Sequence, residues 1–154
     1  MTIQDWGAIG EIVGGAGVIA TLLYLATQIR QNTKHIASAS LQAMSERIES
    51  KMMASATNSE FTGVLSRWMN GEELSEVELM QATAWFSSWM SDLQDGYRQM
   101  KLGVISEVVL RGRIYLLASM LESPHAKKQW EDTGHISDPA FKDWFEQQLG
   151  SHLT

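Results

Sequence analysis

Residues suited to catalysis or metal binding are few in this chain, and their spacing matches no common pattern of either kind. The chain has no cysteine, which excludes thiolate nucleophiles and thiolate metal ligands. Its four histidines form no H-x-x-x-H or E-x-x-H pair within one predicted helix, so we expect no metal site. No serine stands in a G-x-S-x-G turn, which exposes the nucleophile of many hydrolases. The histidines are His35, His125, His135 and His152.

Three carboxylates in the middle of the chain remain as candidates for acid–base chemistry, namely Asp92, Asp95 and Glu107. The two aspartates lie on a predicted helix whose opposite face carries Leu93 and Tyr97. Because a helix with one apolar face usually turns its charged residues to water, we expect both aspartates on a solvated face. With no catalytic set in view, we predict that the protein is not an enzyme.

A dinucleotide-binding fingerprint, G-x-G-x-x-A, occurs at Gly15, Gly17 and Ala20. That motif functions after a strand and at the start of a helix, with an acidic residue about 20 positions later that binds the ribose. No aspartate or glutamate lies between Glu11 and Glu46. We therefore expect no nucleotide and no other cofactor, and we interpret the glycines as helix-packing residues.

The stretch from Ile12 to Ile29 contains no charged residue and determines how the chain is organised. A helix of about 18 residues rises about 27 Å, close to the hydrocarbon thickness of a bilayer, about 30 Å. No lysine or arginine precedes it, so a cleaved signal peptide is not expected. We predict a single transmembrane helix over residues 1–30, with a buried core helix or a peripheral surface helix as alternatives. Its predicted interface residues are Trp6, Glu11, Arg30 and Lys34.

Charge differs between the two sides of this helix and limits the possible partners. Asp5 precedes the uncharged stretch, and the positive-inside rule places the C-terminal part in the cytoplasm because four cations follow that stretch. The net charge of -6 argues against nucleic-acid binding, which needs clustered cations. We expect a lipid bilayer as a partner and no nucleic acid. The four cations are Arg30, Lys34, Arg47 and Lys51.

Small and polar residues line one face of the predicted transmembrane helix at spacings of three and four. Such a face lets a second helix approach closely, so it predicts self-association or docking on a larger membrane complex. The same face also fits a second hypothesis, in which several copies surround a water-filled path lined by Glu11 and the polar members of the face. The face comprises Gly7, Gly10, Gly14, Gly17, Thr21, Tyr24 and Gln28.

Residues 31–154 are predicted to form a soluble helical domain, so the predicted fold class is all-α. We expect the first helix to continue to about Ala56 and the later helices to begin at caps. These caps are Asn58 or Ser59, Ser75 with Glu78, Ser106, Ser123 before Pro124, and Ser137-Asp138 before Pro139. Residues expected to face inward include Ile36, Leu41, Met44, Ile48, Met52, Phe61, Val64, Leu65, Trp68, Leu79, Ala82, Phe86, Trp89, Leu93, Tyr97, Met100, Val109, Leu110, Ile114, Leu117, Ala118, Leu121, Phe141, Trp144, Phe145 and Leu149.

The tryptophans of the predicted bundle have two interpretations. Bulky aromatic residues usually fill the core of a bundle this small. Trp85 lies to one side of the line through Phe86 and Trp89, however, so one ring is expected at the surface. Trp85, Trp89 and Trp130 are therefore candidates for a partner surface as well as for the core.

The two ends of the chain resemble an uncharacterised bacterial family of small proteins. Their first helix begins like W-x-A-I-G-E-I-V-G, as Trp6 to Gly14 do here, and ends in a Q-I-R-Q-N-T signature, found at Gln28 to Thr33. Their C-terminal part is matched by Ser123, Pro124, Trp130, Glu131, Ser137 and Phe141. The resemblance implies a membrane-anchored helical protein of the bacterial inner membrane, and it implies no catalytic residues.

These observations predict an interaction protein with a single-pass anchor and a cytoplasmic helical bundle. It would serve as an accessory subunit or a self-assembling scaffold of a membrane complex. The alternative is a homo-oligomeric channel or conduit, and a third hypothesis is an enzyme whose bundle binds a small ligand beside its tryptophans.

Overall fold

The computed structural model describes the backbone of residues 3–152 and their side chains, apart from those of residues 3–6, 8, 9, 135, 151 and 152. Over that range the chain is helical and contains no strand, so the all-α prediction is confirmed. Short 3-10 helices at Glu107–Leu110 and Gly134–Ile136 precede α4 and follow α5. The α-helices are α1 (Ile3–Thr57), α2 (Ser59–Met69), α3 (Glu76–Lys101), α4 (Arg111–Met120), α5 (Pro124–Thr133) and α6 (Pro139–His152).

The chain divides into two compact units, Met1–Ser40 and Leu41–Thr154, and the division falls inside α1. The sequence places a domain boundary at residue 30, where the uncharged stretch ends. The structural division comes later because the first α1 residue in the hydrophobic core is Met44. We call Met1–Ser40 the N-terminal unit and Leu41–Thr154 the bundle.

One residue, Asn58, separates α1 from α2. Its side-chain oxygen accepts a hydrogen bond from the backbone N–H of Phe61 at 3.1 Å, so it caps α2. The Thr62 hydroxyl donates to the carbonyls of Ser55 and Asn58, which joins the end of α1 to the start of α2. The predicted end of the first helix and the predicted cap are both confirmed.

A tight turn and a capping box connect α2 to α3. Gly71 has φ +71°, a left-handed conformation that side chains disfavour, and a Cβ there would lie 2.8 Å from Cγ of Pro124. Ser75 then begins α3, because its hydroxyl accepts the Glu78 N–H while the Glu78 carboxylate accepts the Ser75 N–H at 2.9 Å. The predicted capping box is confirmed.

α3 provides the largest part of the bundle core. Its residues Ala82, Phe86, Trp89, Leu93 and Tyr97 are buried as predicted, and Met100 is partly buried against the core. The prediction for Leu79 is wrong, since its side chain is 41 % exposed. The first turn of α3 instead contacts α2 through an ion pair between Glu78 and Arg67.

The segment before α4 differs from its prediction. Ser106 makes no side-chain capping bond, and the residues after it form the 3-10 helix rather than the first turn of a long α-helix. Leu110, Ile114 and Leu117 are nonetheless buried as predicted, and Met120 joins them although it was not predicted. The residues at the predicted apolar positions are therefore buried, although the segment before α4 is a 3-10 helix rather than part of an α-helix.

The last two helices both begin at a proline, as predicted. Ser123 does not cap α5, however, because its hydroxyl donates to the carbonyl of Trp68 at 2.7 Å and ties the start of α5 to α2. Asp138 does cap α6, since its carboxylate accepts the Ala140 N–H at 3.0 Å. Phe141 and Phe145 of α6 are fully buried and stack with their ring centres 5.9 Å apart.

Candidate functional site

The N-terminal unit carries an unusually exposed apolar surface. The large aliphatic side chains between Ile12 and Ile29 are all between 48 and 72 % exposed. In the described part of the chain, α1 is the one helix long and apolar enough to cross a membrane, and none of its apolar window is buried. The core helix of a soluble protein would be largely covered, so the exposure disfavours that alternative. These side chains are Ile12, Val13, Val18, Ile19, Leu22, Leu23, Leu25 and Ile29.

The small-residue face predicted on this helix is open. A Cβ built on Gly7, Gly10, Gly14 or Gly17 would meet no atom within 4 Å beyond its own helix. The Thr21 hydroxyl donates to the carbonyl of Gly17 at 2.8 Å, so it needs no other partner. Tyr24 and Gln28, which complete the face, are exposed. The face therefore offers space in which the backbone of another helix can approach.

The predicted interface residues lie at the two ends of the uncharged stretch. Glu11, Arg30 and Lys34 are exposed on α1, as groups at a water interface would be. The side chain of Trp6 lies outside the described residues, so its position at an interface stays a prediction.

The three tryptophans proposed for a partner surface have different environments. Trp89 is only 3 % exposed and packs with its ring centre 5.9 Å from that of Trp85, so its assignment to a surface is wrong. Trp85 is partly buried and also contacts Trp68 edge to face at 6.5 Å. Trp130 is partly buried and meets Phe145 edge to face at 5.4 Å. The rings at 85 and 130 retain some accessible surface, whereas the ring at 89 belongs to the core.

A polar cluster centred on Asp92 lies inside the bundle, which is contrary to the solvated face predicted for this residue. The side chain of Asp92 is 12 % exposed and accepts from Nε of Arg47 at 3.0 Å and from Nζ of Lys51. Nζ of Lys51 also donates to the carbonyl of Ser88 at 2.7 Å and lies 5.1 Å from the ring centre of Trp89. This carboxylate is therefore paired with two cations of α1.

The sequence contains a signal for this cluster on α1. Arg47 and Lys51 share an α1 face with Met44 and Ile48, since all four recur at spacings of three and four. Cations on an apolar face need a counter-charge on the element packed against it. Asp92 is that counter-charge, and only the pairing of α1 with α3 identifies it.

Arg113 of α4 adds a third cation near the same carboxylate. Burial lowers the pKa of its guanidinium, and the charge of Asp92 opposes that shift. Its Nη1 is buried and has no hydrogen-bond partner among the described residues. The side chain therefore contributes charge to the cluster through space rather than through a direct contact.

A second ion pair joins α2 to α3 at the surface of the bundle. The guanidinium of Arg67 bonds the carboxylate of Glu78, which also accepts two bonds from Ser75. These bonds, the one from Arg67 first, lower the pKa of Glu78 from 4.5 to about 2. The pair stays ionised at any ordinary pH and serves to position the two helices.

An apolar groove of about 410 Å³ lies between α4, α5 and α6. Its walls include Leu121, Trp130 and Leu149, and Glu122, Lys127 and Glu131 stand among the lining residues. The groove lies beside Trp130, one of the tryptophans near which the third hypothesis places a ligand. The mainly apolar lining suits an apolar molecule.

The histidines do not form a centre of any kind in the described part of the chain. His125 lies 2.8 Å, through its Nε2, from the carbonyl of Glu72 and so bridges α5 to the segment before α3. No group of three or more potential ligands able to hold a metal ion occurs among the described side chains, which exclude those of His135 and His152.

Comparison with protein-family models, with curated proteins and with solved structures finds no match to this chain. The resemblance of its two ends to a bacterial family therefore stays a prediction.

Proposed function

We propose that this protein is a membrane-anchored helical interaction protein. Its N-terminal helix crosses the inner membrane of a bacterium once, and its bundle serves as an accessory subunit or self-assembling scaffold of a membrane complex. The observation that carries the proposal is the exposed aliphatic surface of α1 between Ile12 and Ile29. Moving each such side chain from water into an apolar phase stabilises it by about 1.5 to 3 kcal/mol, so a bilayer is the natural surrounding of this surface.

The polar groups within this stretch are compatible with that environment. All backbone groups of a helix interior are bonded within the helix, which hydrocarbon requires. The hydroxyls of Thr21 and Thr27 donate to carbonyls of α1 at 2.8 and 2.7 Å, so neither needs water. Glu11 and Arg30, the nearest charged residues, stand outside the stretch at its two ends.

The charge bias of the chain supports a cytoplasmic bundle. Basic residues within about 20 positions of a transmembrane segment favour the cytoplasmic side. Arg30, Lys34 and Arg47 follow the segment, while Asp5 is the nearest ionisable side chain before Glu11. The N-terminus would then face outward.

The open small-residue face of α1 supports assembly through this helix. Helix association in lipid depends on close backbone approach, because lipid tails are as apolar as the side chains and supply no hydrophobic drive. The glycines at 10, 14 and 17 leave the required space. A second copy of this chain or a helix of a larger complex would occupy it.

The anchor and its orientation are tested by cysteine labelling. Because the chain has no cysteine, Gln4→Cys and Ser50→Cys each introduce one unique thiol. We expect a membrane-impermeant maleimide added to intact cells to label Gln4→Cys and to leave Ser50→Cys unlabelled until the cells are lysed. Release of the protein from membranes by alkaline carbonate would contradict the anchor, and the reverse labelling would contradict the orientation.

The role of the small-residue face is tested by Gly14→Leu, with Gly15→Leu as the matched control. The two glycines are adjacent and both open, but they face directions about 100° apart on the helix. We expect Gly14→Leu to reduce the mass of the complex in mild detergent and Gly15→Leu to leave it unchanged. An unchanged mass for Gly14→Leu would show that this face does not pack. If the protein forms a channel, Gly14→Leu should instead leave the oligomer intact and reduce its conductance.

The groove beside Trp130 favours a second candidate function, binding of a small apolar ligand by the bundle. Its volume of about 410 Å³ and its aliphatic walls suit a molecule of drug size. Titration with a series of medium-chain amphiphiles should change the tryptophan fluorescence of the protein and not that of Trp130→Phe. An identical response of the two proteins would count against this function.

A further inference from the structure

Two carboxylates and one ammonium group line the apolar groove between α4, α5 and α6. Glu122 follows the end of α4, while Lys127 and Glu131 lie one turn apart on α5. All three side chains are exposed, and none of them forms an ion pair within the described part of the chain. The lining of the groove therefore carries one negative charge in excess.

The end of α4 adds to this negative potential. Ala118 and Ser119 belong to the last turn of α4, and both line the groove together with Leu121, which follows the helix. The carbonyl groups at the C-terminal end of a helix carry a partial negative charge, which favours a cation near them. Both the helix end and the excess carboxylate thus favour a positively charged ligand.

Two aromatic rings complete the polar part of the groove. Tyr115 is 70 % exposed on α4, and Trp130 is partly buried on α5. The ring of Trp130 is fixed by its neighbours, since Phe145 meets it edge to face at 5.4 Å and a Cβ built on Gly134 would lie 3.4 Å from two of its atoms. Aromatic rings attract cations through the negative charge of their faces, and tyrosine and tryptophan are the usual partners of alkylated ammonium groups.

The rest of the groove is aliphatic. Leu121 and Leu149 stand on walls contributed by the end of α4 and by α6. The volume of about 410 Å³ is within the range of small-molecule sites. A ligand that fits all of this lining has an apolar body and one positive charge.

We propose that the groove binds an organic ammonium cation, with its alkyl part against Leu121 and Leu149 and its charged group beside the aromatic rings and carboxylates. This inference rests on the proposed binding of a small apolar ligand by the bundle, and it does not depend on the membrane anchor. An anionic head group would meet two carboxylates and only one ammonium group, so the lining selects against it. A neutral ligand would gain nothing from the excess charge.

The test compares three probes that share one hexyl chain, namely hexyltrimethylammonium, hexyl sulfate and hexanol. The full chain is held in nanodiscs of zwitterionic lipid, and fluorine NMR follows its six tryptophans after labelling with fluorinated tryptophan. The resonance that disappears in Trp130→Phe is that of Trp130. Its shift reports on the groove and not on partition of the probe into lipid.

We expect hexyltrimethylammonium to shift the Trp130 resonance with a Kd about tenfold or more below that of hexyl sulfate. Glu131→Gln should weaken binding of the cation about threefold, because one carboxylate is lost. Lys127→Gln should strengthen it. Glu107→Gln is the matched control, since Glu107 is exposed on the 3-10 helix and does not line the groove, and it should leave the Kd unchanged.

The possible results separate this inference from the function on which it rests. Equal affinity for the three probes, or tighter binding of hexyl sulfate, would overturn the preference for a cation and leave binding of an apolar ligand standing. A Trp130 resonance that none of the probes shifts would overturn both. Equal effects of Glu131→Gln and Glu107→Gln would show that the carboxylates of the groove do not hold the cation, and this result would overturn the inference as well.

Discussion

Asp92 shows how the bundle accommodates a charged side chain in its interior. Burial removes most of the water from its carboxylate, and the ammonium of Lys51 and the guanidinium of Arg47 take the place of that water. Lys51 is itself largely buried and has further partners in the Ser88 carbonyl and the Trp89 ring. Asp92 and Lys51 are therefore matched to one another, and removal of either leaves the other without this compensation.

We predict that Asp92→Ala destabilises the bundle, because Lys51 would remain largely buried without its counter-charge. The loss should be about 2 kcal/mol or more in the free energy of unfolding. Denaturant unfolding monitored by tryptophan fluorescence measures it. Asp95→Ala is the control, since Asp95 forms an exposed pair with Arg98 and its loss should cost about 0.5 kcal/mol or less. Equal effects of the two substitutions would contradict this account.

The pH dependence of stability follows from Glu78. Its pKa of about 2 in the folded protein lies below the ordinary value of 4.5, so folding favours the ionised form. The stabilisation is fully present above pH 4.5 and disappears as the pH falls toward 2. We therefore predict that Glu78→Gln lowers the melting temperature near neutral pH and that its difference from the wild type shrinks to nothing below pH 2.

The control for this prediction is Glu76→Gln in the same turn of α3. Glu76 is exposed and forms no ion pair among the described residues. Its substitution should leave both the melting temperature and its pH profile close to those of the wild type. A difference between Glu78→Gln and the wild type that stays constant from pH 7 to pH 2 would contradict the assigned cause.

At the scale of elements, the approach of α1 to α3 depends on the absence of a side chain at Gly96. A Cβ built there would lie 2.6 Å from Cδ2 of Leu110 and 3.1 Å from Cε of Met44. Gly96 thus lets a residue of α1 and a residue of the 3-10 helix both pack closely against the C-terminal part of α3. Gly63 of α2, by contrast, is exposed and has open space around it.

We predict opposite effects for substitutions at these two glycines. Gly96→Leu should destabilise the bundle by about 2 kcal/mol, because the added side chain displaces α1 or the 3-10 helix. Gly63→Ala should stabilise it by about 0.5 to 1 kcal/mol, since alanine loses less backbone entropy in a helix. Chemical denaturation of both variants measures the change. Stabilisation by Gly96→Leu would show that α1 does not depend on this contact.

On the scale of the whole molecule, the N-terminal unit and the bundle differ in how much of their apolar surface is covered. The bundle has a core of its own, made from the last part of α1 and from α2 to α6. The N-terminal unit has exposed aliphatic side chains and, in the described part of the chain, contributes no residue to that core. A bilayer around the N-terminal unit would cover its exposed aliphatic side chains, and the bundle, whose core residues are already covered, would be stable in water.

We predict that residues 41–154 fold in water without the N-terminal unit. The core residues Met44 and Ile48 and the ion pairs of Arg47 and Lys51 all remain in this fragment. A single cooperative thermal transition, followed by tryptophan fluorescence, is the expected result. Residues 58–154 serve as the comparison, because they lose these contacts and expose the charge of Asp92. Equal stability of the two fragments would show that the end of α1 is not part of the bundle.

Local patterns in the sequence determined the helices and most of their core residues. Apolar residues at spacings of three and four predict burial of Phe86, Leu93 and Phe145. The apolar face of a helix has to be shielded from water, and this holds whichever neighbouring helix packs against it. Caps such as Asn58 and the Ser75–Glu78 pair act within one turn, so they too can be predicted from neighbouring residues. The uncharged length of α1 likewise depends only on consecutive residues.

Features that depend on contacts between distant residues were decided by the tertiary structure. The apolar face of α3 predicts Asp92 in solvent, on the opposite face, but its partners Lys51 and Arg47 lie 41 and 45 positions earlier in the chain. Ser123 was expected to cap its own helix, but α2 brings the Trp68 carbonyl within reach of its hydroxyl. Which tryptophan is covered also depends on the packing of neighbouring helices. Local sequence specifies which groups need partners, and the packing of the helices specifies which partners they find.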